Sequence, residues 1–312
     1  MSTGTESRVQ VVSEYEIAPR ELVHKRAAEG VLLDGWRRTG EADYRVSTRW
    51  AQAGPFYFGP DARPDPMLFI ESIRQCLPLL SHVAFGVPLG HHLVWDRFSL
   101  RLAHRTAGPP RPGADAEIDV HCDEIRSRGG RASALGLSFS VRRDGGELAN
   151  ARTRFSIQPP AVYRRIRGEA IRRTSADPRA TVPPAPLSPA AVGRTRASDV
   201  LLSATDRPDV WQLRLDLGHP VYFDHPVDHV PGALLLDAAL QATRAAGLRA
   251  GRTAVPVGID CRFHSFVELD DPYLLEIRQI TLDGAGYGVA EVTLATGDAH
   301  PVFTAVVTLH VR

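Results

Sequence analysis

Two stretches of this chain run in parallel, and a duplicated chain folds as two copies of one unit. Residues 31–50 (VLLDGWRRTGEADYRVSTRW), then PFYFGP, then 65–98 (DPMLFIESIRQCLPLLSHVAFGVPLGHHLVWDRF) form the first stretch. Residues 200–217 (VLLSATDRPDVWQLRLDL), then HPVYFDHP, then 230–247 (VPGALLLDAALQATRAAG) and 255–269 (VPVGIDCRFHSFVEL) form the second. The spacing persists along them: Val31 to Val200 is 169 positions, Glu71 to Asp237 is 166, and Gly90 to Gly258 is 168.

Each copy predicts the same elements. A short alternating strand (Tyr44 to Trp50; Trp211 to Leu217) leads through a loop into one apolar helix. Met67, Leu68, Ile70, Ile73, Leu77 and Leu80 recur at helical spacing, and Leu234, Leu235, Leu236, Ala238, Ala239 and Leu240 cover nearly the whole circumference of the second helix. Such a helix must be wrapped. Strand-like runs follow each helix, with a turn signal at DGG (144–146), so the expected class is α+β: an antiparallel sheet around a central helix, made twice. The chain then divides into an N-terminal repeat at 1–163, a Pro/Arg-rich linker at 164–199 stiffened by Pro183, Pro184, Pro186 and Pro189, and a C-terminal repeat at 200–312. The linker arginines, Arg164, Arg165, Arg167, Arg172 and Arg173, read as a solvated tether or as a docking surface.

Composition removes several function classes. Lys+Arg 37 against Asp+Glu 36 gives a net charge of +1, with no global pull toward nucleic acid or anionic membrane. The chain has no apolar run of the roughly 18 residues that span a bilayer, and its polar start lacks a signal-peptide core, so a cytoplasmic location is expected. Cys76, Cys122 and Cys261 are widely spaced and suggest buried thiols rather than disulfides or a zinc site. Lys25 is the only lysine, which the codon bias of a GC-rich genome explains.

Polar residues interrupt both helices at matching places. Glu71 and Gln75 correspond to Asp237 and Gln241, each pair at i and i+4 on one helical face. A buried carboxylate needs a partner, so these positions are either structural ties between the copies or catalytic groups. In FDHPVDHVPG, His225 and His229 precede the Pro231-Gly232 step that opens the second helix, whose N-terminal N–H groups can hold a thioester or phosphate oxygen. Histidine titrates near neutral pH and is the natural general base.

HPVYFDHPVDHVPGALLLDAALQ resembles the active-site segment of hot-dog-fold β-hydroxyacyl-carrier-protein dehydratases, at His225, Pro231, Gly232, Asp237 and Gln241. The whole chain resembles more closely the A-factor synthase (AfsA) family of γ-butyrolactone, butenolide or furan signal biosynthesis in actinomycetes. ELVHK (21–25), DPMLFIESIRQ (65–75), HVAFGVP (82–88), LSPAAVGR (187–194) and HPVYFDHPVDHVPG (219–232) carry that resemblance. It implies a tandem double hot dog and transfer of a β-ketoacyl group from acyl carrier protein to the hydroxyl of dihydroxyacetone phosphate. The acyl group would arrive on the carrier's phosphopantetheine, with no bound cofactor, metal, nucleic acid or membrane.

In single-repeat relatives the histidine of one subunit meets the carboxylate of the other, so the composite pair here would be His225 with Glu71. If the loop instead folds back on its own helix, Asp237 is the partner. The first repeat has no histidine between Trp50 and Glu71, so one productive site is expected. His225 would act as base and Glu71 would orient it, with amides near Gly232 holding the oxyanion. Arg74 would bind phosphate or simply pair with Glu71, Gln75 and Gln241 would contact substrate, and His229 would be a second base. A dehydratase or thioesterase on the same thioesters, or a non-catalytic acyl-thioester-binding module, are the competing readings.

Overall fold

The computed structural model describes residues 15–103, 115–174, 183–284, 286–297 and 300–311. The first half contains β1 (Glu16–Ile17), β2 (Leu33–Arg38), β3 (Asp43–Thr48), helix α1 (Pro66–Val83), β4 (His92–Leu102), β5 (Glu117–Arg128), β6 (Arg131–Arg143) and β7 (Gly146–Gln158). Helix α2 (Pro160–Thr174) follows, and the second half contains β8 (Leu202–Ala204), β9 (Val210–Leu213), α3 (Gly232–Arg249), β10 (Ala254–Phe263), β11 (Leu274–Leu282), β12 (Tyr287–Ala295) and β13 (Phe303–Val311).

The strands form one antiparallel sheet in the order β1-β2-β3-β5-β6-β7-β4-β10-β13-β12-β11-β9-β8. From β2 inward to β4 and from β8 inward to β10 the two halves read identically, so each of these strands has its counterpart in the other half, and β1 alone extends the first. The seam joins the equivalent strands β4 and β10, paired antiparallel from Arg97↔Arg262 to Arg101↔Gly258. Two equivalent strands meeting antiparallel is what a local twofold axis requires. This is the tandem double hot dog expected above.

Each central helix is buried nearly all round, consistent with its apolar circumference. At the start of α1, Asp65 is the N-cap, its side chain accepting from the Met67 amide at 2.9 Å, and Pro66 occupies the first turn where its missing N–H costs nothing. Asp144 and Gly145, both at positive φ, make the tight turn between β6 and β7 that DGG announced. All three cysteines are free and buried, and burial pushes their thiols up. No described helix is long and apolar enough to cross a membrane.

The described parts of the stretch 164–199 are residues 164–174 and 183–199, and they fall in two different neighbourhoods. Residues 160–174 form α2, which docks on the second repeat through Arg167, only 4% exposed. Its guanidinium donates to the Asp228 carboxylate at 3.1 Å, the Asp228 carbonyl at 2.8 Å and both oxygens of Glu268, and lies 4.3 Å over the Phe266 ring. The tether reading therefore fails for Arg167, because its charge is spent on two carboxylates. Arg164, Arg165 and Arg172 are exposed, and the Arg173 side chain lies outside the described residues. Residues 187–199 belong structurally to the second repeat: Leu187 is tied to Leu202 by a backbone bond of 2.9 Å, and Val192 is fully buried.

Candidate active site

Both helices hold the same clamp. Gln75 Oε1 accepts from the Leu32 amide at 2.9 Å, while its Nε2 donates to the Gly30 carbonyl at 2.8 Å and to Glu71 at 2.9 Å. Gln241 repeats this with the Leu201 amide at 2.9 Å, the Asp199 carbonyl at 2.9 Å and Asp237 at 2.8 Å. Both glutamines are fully buried. Their amides are consumed in stitching the helix to the segment before the first long strand, so they are structural, not substrate-binding as expected.

A buried cation completes each clamp. Lys25 Nζ lies 3.0 Å from Glu71 Oε1, and Arg194 Nη2 lies 2.6 Å from Asp237 Oδ1. Lys25 and Arg194 are 169 positions apart, the same offset as Val31 and Val200, so ELVHK and AAVGR are themselves equivalent segments of the repeat. The spacing of the chain's one lysine to Arg194 was the signal by which it could have been found.

The two carboxylates then diverge. Asp237, with no exposed surface, also accepts from Tyr222 Oη at 2.5 Å, and it is not among the residues lining the cavity between the repeats. Burial, then the Asp237 charge, pushes the Tyr222 phenol well above its ordinary value, so it stays a donor. This is a sealed structural site, and Asp237 is not the catalytic partner of His225. Glu71 instead borders a cavity of about 940 Å³ between the repeats, walled by α1, β4, α2, the 221–231 loop and the start of α3. Arg74 grips Glu71 with Nε at 2.7 Å and Nη2 at 2.9 Å. Burial works against its charge, but Arg74 and Lys25 bring the carboxyl down to about 2.

His225 reaches the same cavity from the second repeat, so the composite arrangement across the repeats is present, but its hydrogen-bonding partner is not Glu71. Its Nδ1 lies 2.5 Å from Asp224 Oδ1, and Asp224 Oδ2 accepts from the Arg26 amide at 3.0 Å and lies 4.0 Å from Lys25 Nζ. Lys25 thus stands between two carboxylates, Glu71 of one repeat and Asp224 of the other. Despite burial, the His225 contact and Lys25 hold Asp224 below the ordinary carboxylate range. The His225 side chain is 44% exposed, so a reactant can reach Nε2. Pairing with the preceding residue is invisible to a search for distant partners, which is why Asp224 was missed.

His229 forms a second pair with its own preceding aspartate, Nδ1 to Asp228 Oδ1 at 3.0 Å. The Tyr163 hydroxyl donates to the Asp228 carboxylate, 2.8 Å from Oδ1 and 3.0 Å from Oδ2, and that ring stacks on His92 with centroids 3.6 Å apart. Gly232 opens α3 at the cavity wall; a Cβ there would come within 2.5 Å of the Trp95 ring, so only glycine lets the helix start this close to β4.

A family model described as the A-factor biosynthesis hotdog domain matches residues 8–159 and 175–295. A Streptomyces virginiae protein named 2-oxo-3-(phosphooxy)propyl 3-oxoalkanoate synthase is 39% identical over 281 residues, 88% of this chain and 92% of that one. Proteins of the same name are 35% identical in Streptomyces coelicolor, over 88% of this chain and 86% of theirs, and 36% identical in Streptomyces griseus, over 81% and 82%. Among solved structures, an oleoyl thioesterase (putative) of Lactobacillus plantarum superposes with TM-score 0.53 at 15% identity, covering 86% of this chain and 96% of that one. The 12:0-ACP thioesterase of Umbellularia californica gives 0.53 at 12%, covering 87% and 95%. These two likenesses show the fold alone. With both repeats matched by one family model and relatives above a third identical across most of its length, the chain belongs to the AfsA family of A-factor biosynthesis hotdog proteins.

Proposed function

We propose that this protein is a 2-oxo-3-(phosphooxy)propyl 3-oxoalkanoate synthase: it esterifies the free hydroxyl of dihydroxyacetone phosphate with a β-ketoacyl group delivered as the phosphopantetheine thioester of acyl carrier protein. The observation that carries the reading is the cavity between the repeats, bordered by a reachable histidine backed by a buried aspartate, in a chain whose relatives bear that name. The ester in their name is a dihydroxyacetone phosphate ester, so a phosphorylated small molecule is the acceptor.

In this reading His225 Nε2 takes the proton of the acceptor hydroxyl as its oxygen attacks the thioester carbonyl. Asp224 fixes the imidazole and stabilises its charged form, the part expected above of Glu71. The oxyanion forms beside the first turn of α3, where the helix N-terminus favours negative charge. When the tetrahedral intermediate collapses, the carbon–sulfur bond breaks and the imidazolium returns its proton to the sulfur. Glu71, Lys25 and Arg74 form the fixed polar floor, and Gly232 brings the helix up to the reacting carbonyl. His229 stands at the α2 side of the cavity as part of the Tyr163–Asp228 network.

The test is incubation with a β-ketoacyl carrier protein, with and without dihydroxyacetone phosphate, followed by mass spectrometry. An ester formed only with the acceptor supports the transferase. Free acid or an enoyl product regardless of acceptor overturns it in favour of a thioesterase or dehydratase, and no turnover favours a binding module.

A further inference from the structure

His24 has no counterpart in the second repeat, although its position does. Counting 169 residues on gives Gly193, and both backbones adopt the left-handed conformation, φ 53° at His24 and 71° at Gly193. Glycine takes that conformation freely, whereas a side chain with a Cβ is disfavoured there by about 1 kcal/mol. The first repeat therefore carries a strained histidine where the fold asks for glycine, and such outliers persist where the side chain is used.

The ring is fixed from behind. His82 Nδ1 lies 2.6 Å from the Val87 carbonyl, which accepts only, so that nitrogen carries the hydrogen and, in the neutral ring, His82 Nε2 is an acceptor. His24 Nε2 lies 2.9 Å from His82 Nε2 and must donate to it. The remaining nitrogen, His24 Nδ1, is thus a lone pair with no partner among the described residues, on a ring that lines the cavity. His82 is equally particular to this repeat: 166 residues on stands Leu248, exposed on the far helix. ELVHK, which also supplies Lys25, and HVAFGVP meet in this pair.

The charged groups that act most strongly on His24 are basic: Arg74 and His82 on α1, His92 on β4 and His225 on the loop before α3. Burial first, then these groups, lower His24 to about 4. Lys25 and Arg74 are already matched by Glu71 and Asp224. An anion is the complement that this corner of the cavity lacks.

Resting on the transferase reading for the identity of the acceptor, we propose that His24 Nδ1 seats the acceptor's phosphate and takes up a proton from solvent as the dianion binds. The bond formed is Nδ1–H donating to a phosphate oxygen. The proton comes from bulk water, and no other bond changes. The neutral ring of the empty cavity becomes an imidazolium paired with phosphate, while Arg74 remains held by Glu71.

Calorimetry of inorganic phosphate and of dihydroxyacetone phosphate at pH 7, in buffers of different ionisation enthalpy, measures the protons exchanged. The wild type is expected to take up close to one proton more per phosphate bound than H24G, which copies the second repeat and suits the left-handed backbone. H24N, also tolerant of that conformation, should behave like H24G. Unphosphorylated dihydroxyacetone should bind without proton uptake. In turnover, H24G should raise KM for the phosphorylated acceptor about 10-fold to 100-fold, the value of a charge-assisted hydrogen bond, with kcat nearly unchanged. Equal proton uptake in wild type and H24G, absence of phosphate binding by the wild type, or a loss in kcat with KM unchanged would each overturn the assignment. The phosphate titration is independent of acyl transfer, so a failure of the transferase reading shows separately as phosphate binding without ester formation.

Discussion

Replacing Arg194 with methionine should damage the fold and spare the chemistry. Asp237 has no exposed surface, and Arg194 is its one cation at 2.6 Å, the Tyr222 hydroxyl and Gln241 amide supplying its other contacts. The same guanidinium lies 3.7 Å from buried Asp65 and donates to the Phe56 carbonyl at 3.0 Å. Removing one partner of a buried ion pair strands the other charge and costs about 3–5 kcal/mol. At about 2.1 cal/mol/K of unfolding entropy per residue, each kcal/mol moves the Tm of a chain this long by about 1.5 °C, so the expected drop is about 5–8 °C. Adding Asp237→Asn should recover part of it, because the stranded charge is gone. Scanning calorimetry gives the Tm values, and ester formation per folded molecule should stay within about threefold of wild type, since no broken contact borders the cavity. A Tm equal to wild type, or a loss of turnover at unchanged Tm, would refute the division between a sealed and a working carboxylate.

Glu71→Gln should lower turnover more than Asp237→Asn while the melting temperatures rank the other way, because Glu71 neutralises Lys25 and Arg74 at the cavity wall; rates measured beside melts check the order. His24 titrates near 4 in the folded chain against about 6.5 unfolded, so the unfolded state binds more protons between those values. That contribution to stability is complete above pH 6.5 and is lost as pH falls toward 4, by up to about 3 kcal/mol; denaturation midpoints of H24G should fall less over this window than those of the wild type. Charge reversal at Arg164, Arg165 and Arg172 together should raise KM for an acidic carrier protein at low salt and flatten its salt dependence, whereas Arg167→Met should instead lower Tm, being bonded to Asp228 and Glu268.

The duplication and the wrapped helices were legible because they are periodic: Met67 to Leu80 and Leu234 to Leu240 can only be core, and Glu71 and Asp237 stand out against them. The partners of those carboxylates were less legible. Lys25 lies 46 positions before Glu71 and Arg194 43 before Asp237, in segments with no periodicity of their own. Their shared 169-residue offset locates them only once the repeat is extended upstream of Val31 and Val200, into what reads by composition as a proline-rich linker. Gln75 and Gln241 were recognised as a pair, but whether an amide faces backbone or substrate depends on the strand opposite it. The pairing of His225 with Glu71 failed for a plain electrostatic reason: two cations already occupy that carboxylate, and Asp224, one residue away, is nearer.

The central claim is that acyl transfer runs on the His225–Asp224 pair in the cavity between the repeats. Ester formation by His225→Ala and Asp224→Asn, measured by mass spectrometry under single-turnover conditions with melting curves alongside, tests it most directly. The expected loss is about 100-fold to 10,000-fold for His225→Ala with the fold intact, since a half-exposed loop histidine adds little to the core, and smaller for Asp224→Asn. Near-wild-type ester formation by His225→Ala would contradict it.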